Sequence, residues 1–163
     1  MENIKNTDYK TQLNEKGVIS FVPAGDSMWP ILKHRNQSVV IEKKSGRLSP
    51  FDVAFYVRDN GVFVLHRVVE VTENGYIFSG DSQLVTESIN EEQVFGKMVG
   101  FYKGKKYIDC TTPKYTKKIK RMYANKSLRK FKIKCFYLAK RIKAKISRIF
   151  RRNKNNVWFN STW

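Results

Sequence analysis

The chain has 163 residues, with 32 Lys and Arg against 14 Asp and Glu and a formal net charge of +18. Its 41% apolar and 13% aromatic content is enough for a modest core and excludes a wholly disordered chain, while no apolar run approaches the roughly 18–20 residues that cross a bilayer. Two cysteines, Cys110 and Cys135, make neither a disulfide framework nor a metal-ligand spacing, so no metal or cofactor is expected.

Residues 1–16 (MENIKNTDYKTQLNEK) are polar throughout, with no secretory h-region, and are expected to be a polar N-terminal segment ahead of the body at 17–110. Val18 to Val22 reads as a strand ending at Pro23. PAGDSMWP is punctuated by Gly25 and two prolines and reads as a turn, with one or two helical turns from Ser27 to His34. Ser38 to Glu42 is a strand. Asp52 to Arg58 and Val62 to Val71 are paired strands around the Asp59-Asn60-Gly61 turn, and Asn74-Gly75 turns into Tyr76 to Ser79. Val94 to Tyr102 and Lys106 to Ile108 complete the set. Short strands with frequent turns predict a mainly β fold: a partly closed antiparallel body over residues 17–110.

The charge is segregated. Residues 1–113 hold 14 basic and 14 acidic side chains, whereas residues 114–163 hold 18 basic and none acidic. The expected tail, residues 111–163, has no Gly or Pro between 114 and 152. Leu128, Phe131, Cys135, Leu138, Ile142, Ile146 and Ile149 recur in steps of three and four, the pattern of one helix face. A basic amphipathic helix over residues 114–152 predicts attachment to an anionic membrane surface, with Trp158, Phe159 and Trp163 as interfacial anchors. Docking of the stripe on the β body or another protein is an alternative. Nucleic acid is disfavoured as a partner because no recognition motif accompanies the charge.

Three polar residues stand at or beside strand-turn junctions: Ser27, His66 and Asp81. A serine hydroxyl needs an adjacent base to act as a nucleophile, and imidazole titrates in the right range to be that base. Arg67, next in the strand, is expected on the opposite face and hence to do a different job. Asp81 has two candidate partners, His66 and Arg67. Each residue also has a plain structural role open to it: a helix-capping serine, a core histidine, a turn aspartate.

The strings around these residues resemble a known family. Gly25-Asp26-Ser27-Met28-Trp29-Pro30 is similar to the G-x-S-M-x-P box of type I signal peptidases and the related self-cleaving SOS repressors. His66-Arg67-Val68 resembles the His-Arg-Val of the endoplasmic-reticulum-type branch, and Gly80-Asp81-Ser82 stands where the family has Gly-Asp-Asn. The resemblance covers about Val18 to Ile108. It implies a coiled β-fold and a serine endopeptidase that cleaves a signal or leader segment of a precursor protein or peptide. Ser27 would be the nucleophile, His66 the base and Asp81 the orienting acid. Gly25, Ser27 and Met28 would line the substrate and oxyanion region, with Arg67 and Pro30 as structural support. Ile31, Ser82 and Glu87-Ser88 depart from the family pattern; Glu87 is the substitute for its second acid. With no apolar anchor in the sequence, the expectation is a cytoplasmic enzyme attached peripherally to a membrane. A catalytically inactive peptide- or membrane-binding module on the same fold is the alternative.

Overall fold

The computed structural model describes the backbone of residues 6–159 and the side chains of residues 9–148. It separates into two units, residues 1–124 and residues 125–163.

The first unit is built on eight strands: β1 (Val18–Phe21), β2 (Val39–Lys43), β3 (Val53–Val57), β4 (Phe63–Val71), β5 (Gly75–Ser79), β6 (Glu87–Asn90), β7 (Val94–Lys103) and β8 (Lys106–Asp109). All pairings are antiparallel, in the order β1-β2-β7-β3-β4-β5-β6, with β8 added on β7. The predicted strands lie where the alternation places them, because each is bounded by a turn its residues favour. At Asp59-Asn60-Gly61, for example, Gly61 has φ +77° and its N–H donates to Arg58 O at 2.8 Å.

Two expectations are corrected. The sheet does not close: β1 and β6 end the ladder without pairing to each other. Each is only four residues long, which blunts the edges and offers few ladder bonds for closure. Nor is the chain mainly β. Three helices, α1 (Asn6–Lys16), α2 (Pro113–Ala124) and α3 (Lys126–Phe159), hold more residues than the strands do.

The folded body also reaches further than residues 17–110 at both ends. α1 is polar but places Leu13 in the core, 1% exposed, and packs Tyr9 against Phe21, Phe55 and Phe63. It stops at Gly17, whose N–H donates to Leu13 O with φ +71°, a left-handed helix end that glycine tolerates. At the other end, α2 buries Tyr115 and Ile119 in the same core as Leu13, Ile41, Phe55 and Met98. A second apolar cluster, including Ala54, Tyr56, Val68, Tyr76 and Phe78, draws on alternate residues of β3 and β4. β4 therefore separates two packed environments, and adjacent residues in it face different ones.

The second unit is α3, a helix of 34 residues. It does not continue α2. Asn125 intervenes, and its Oδ1 accepts from Leu128 N at 2.9 Å, an N-cap for α3. Leu128, Phe131, Cys135, Leu138, Ile142 and Ile146 are all exposed on it. The Ile149, Trp158 and Phe159 side chains and all of Trp163 lie outside the described residues. Among the described residues, no helix is long and apolar enough to cross a membrane.

Candidate active site

Ser27 and His66 open onto one cleft of about 500 Å³ in the first unit. Its apolar wall includes Phe21, Leu32, Phe55, Phe63 and Leu65, and α1 contributes Tyr9. Gly25, Met28, Arg58 and Gln83 complete the polar side and floor.

His66 is 4% exposed, paired opposite Ala54 in the β3–β4 hairpin. Its Nδ1 lies 2.9 Å from Glu87 Oε1 and 3.1 Å from the Tyr56 hydroxyl. That hydroxyl donates to the same Glu87 oxygen at 2.6 Å. Arg58 forks onto the carboxylate, Nε to Oε2 at 2.6 Å and Nη2 to Oε1 at 2.8 Å. Burial alone would raise the Glu87 pKa, but the bonds from Arg58, Tyr56 and His66 outweigh it and hold the group at about 2. Glu87 is therefore an acceptor at any working pH. The network assigns the proton to Nδ1 and leaves Nε2 as the basic nitrogen. Burial lowers the His66 pKa, and the Glu87 contacts only partly offset this, so the ring is neutral near pH 7.

Asp81 is elsewhere. Arg67 points away from His66 and forks onto it, Nε to Oδ1 and Nη2 to Oδ2, both at 2.7 Å. Neither side chain has any exposed surface. The Tyr123 hydroxyl of α2 donates to Asp81 Oδ1 at 2.8 Å, and Arg67 Nη1 donates to Phe51 O at 2.7 Å. Burial disfavours the guanidinium, but Asp81 overrides it and raises the Arg67 pKa further. So the carboxylate beside His66 is Glu87, and the expectation of Asp81 as orienter is corrected: its two oxygens are taken by Arg67 and Tyr123. Arg67 and Asp81 form a fully buried ion pair.

The Gly80-Asp81-Ser82 loop nevertheless reaches the serine box. Ser82 N donates to Ser27 O at 2.8 Å, and Ser82 Oγ donates to Asp26 O at 2.7 Å. Gly80 lies so close that an added Cβ would sit 2.6 Å from Ser27 O. The buried Arg67–Asp81 pair thus anchors the loop that holds the Ser27 backbone.

Within the serine box, Met28 is 5% exposed and packs in the core, while Pro30 is exposed at the exit. The Gly25 N–H, expected at the substrate, donates instead to His34 Nδ1 at 2.7 Å. Ser27 is half-buried. Among the described residues, its hydroxyl and its N–H make no hydrogen bond, and none joins Ser27 to His66. No group of three His, Cys, Asp or Glu among the described residues is placed to hold a metal ion.

Sequence reasoning missed Tyr56, Arg58 and His34 as neighbours of the site. The hairpin register was the available signal for the first two: β3 carries Tyr56 on the same face as Ala54, which pairs with His66. A scan of the chain against protein-family models gives no match, and a search of curated proteins gives none either.

Proposed function

We propose that this protein is a serine endopeptidase resembling the signal peptidases, acting on an extended signal or leader segment of a precursor protein or peptide. The observation that carries the reading is the meeting of Ser27 and His66 on one cleft, with Glu87 on the far nitrogen of the imidazole. The serine, histidine and glycine-aspartate strings of the sequence add the family resemblance.

In this reading the Ser27 hydroxyl attacks the scissile carbonyl and His66 Nε2 takes its proton. Glu87 holds Nδ1–H so that Nε2 faces the reaction. The Ser27 N–H, which makes no hydrogen bond among the described residues, receives the developing oxyanion. His66 then returns the proton to the leaving amine, and a water repeats the sequence on the acyl-enzyme. Arg58 makes Glu87 an orienting group more than a neutralising one, because the pair has almost no net charge.

The substrate enters as an extended strand. β1 is a sheet edge, and the chain beyond it, Val22 to Gly25, runs along the cleft wall. Main-chain pairing there gives affinity, and the aromatic wall takes apolar side chains.

A second reading rests on the absence of a Ser27–His66 hydrogen bond: a peptide-binding module on the same body, without catalysis. A serine-directed acylating probe decides between them. Labelling of Ser27 that disappears in Ser27→Ala, with unchanged thermal unfolding, supports the peptidase. No labelling anywhere between about pH 6 and 9, where a neutral imidazole is available, replaces it with the binding module.

A further inference from the structure

We infer that α3 is a docking surface for an anionic lipid membrane, lying in the plane of the interface with its apolar stripe down. This rests on α3 alone and is independent of the peptidase reading. Leu128, Phe131, Leu138, Ile142 and Ile146 are 45–64% exposed, and Phe131 is the most exposed. At about 100° per residue they fall within a sector of about 80°, continuous for five turns of helix. Ala139 borders the sector, and nothing acidic interrupts it, since residues 114–163 contain no Asp or Glu.

The cations sit where an interface would use them. On the helical projection, Lys132 and Lys143 flank one edge of the stripe, and Lys134 and Lys145 flank the other. Long stems along the apolar edge with ammonium groups turned outward match the boundary between acyl chains and headgroups. Charge complementarity selects the occupant. A neutral protein groove would cover the stripe and leave the flanking lysines repelling one another. A nucleic acid would satisfy the lysines and gain nothing from an exposed row of Phe, Leu and Ile. A leaflet carrying anionic lipid satisfies both faces of the helix at once.

The test uses the full chain and vesicles of phosphatidylcholine with and without phosphatidylglycerol. Sedimentation with the anionic vesicles should exceed that with neutral ones by at least about tenfold, and about 0.5 M salt should weaken it severalfold. Phe131→Glu with Leu138→Glu should reduce anionic-vesicle binding at least about tenfold, and Phe131→Leu should retain it. Far-ultraviolet dichroism checks that both variants keep their helix. Equal binding to neutral and anionic vesicles overturns the inference. So does binding that the double variant leaves unchanged, which would assign the tail to simple charge attraction. Failure to bind any vesicle overturns it as well. Retention on duplex DNA would then identify nucleic acid as the occupant, and concentration-dependent self-association lost in the double variant would identify a second copy. None of these outcomes bears on Ser27 labelling.

Discussion

Glu87 Oε1 stands 2.9 Å from Nδ1 of His66, although 21 residues separate them and the sequence offers Asp81 as the nearer carboxylate. The choice follows from strand alternation. His66 and Arg67 are neighbours in β4 and face opposite sides, so each takes its own acid: Glu87 from β6 for the imidazole, Asp81 from the β5–β6 loop for the guanidinium.

Glu87→Gln tests the orienting role. A neutral amide can offer its N–H to Nδ1 and select the wrong tautomer. On the proposed peptidase mechanism, turnover should fall on the order of 10³–10⁴-fold, with substrate affinity little changed. Steady-state kinetics on a cleavable leader peptide reads the split. An equal loss from Asp81→Asn at unaltered stability would return the role to Asp81.

The pH profile follows from burial. His66 titrates below the ordinary 6.5, so activity should be full at neutrality and decline only as acid protonates the ring. Arg58→Leu removes a cation that disfavours the imidazolium and leaves Glu87 uncompensated. The acid limb should then move upward by about one pH unit. Stability moves in the same sense. A depressed His66 and a Glu87 at about 2 both bind protons more readily when unfolded, so acid should destabilise the chain, first below about pH 6.5 and more steeply below about 4.5. Chemical denaturation at several pH values measures it.

The Arg67–Asp81 pair should behave as a structural element. Asp81→Asn leaves a buried guanidinium without its counter-charge and should cost about 3–5 kcal/mol. Tyr123→Phe removes one hydrogen bond to the same carboxylate and should cost about 1 kcal/mol. Urea unfolding midpoints distinguish the two.

Gly80→Ala probes the link between that pair and Ser27, the proposed nucleophile. Its Cβ would press on Ser27 O, 2.6 Å away, and displace the serine loop. Ser27 acylation should drop about tenfold or more, since small misplacements of reacting groups cost rate steeply. Ser27→Ala should be blind to the same change, as it has no acylation to lose.

Much of the body was legible because its strands are short, alternating and bounded by Asn-Gly and Gly turns. α1 was not: among its described side chains, Tyr9 and Leu13 are the apolar ones that pack inward, too few to mark a helical period. β6 was missed because Glu-Ser-Ile-Asn is polar apart from Ile89, and an edge strand needs no more. In the tail, the stripe beginning at Leu128 concealed a second pattern ahead of it: Tyr115, Ile119 and Tyr123, one face of α2 and part of the body. Local strings singled out Ser27 and His66, which the fold brings to one cleft. The acid was not, since the identity of a carboxylate partner depends on which strand faces which side.

The Tyr123 hydroxyl gives the start of the cationic region a second identity. A protease nick after Lys126 falls beyond Tyr123 and leaves its bond to Asp81 in place. A nick after Lys117 or Lys120 would detach Tyr123 from Asp81, and with it one fastening of the loop that steadies Ser27. Six peptide bonds, from the one after Lys120 to the one after Lys126, thus separate a cut that severs this fastening from one that spares it.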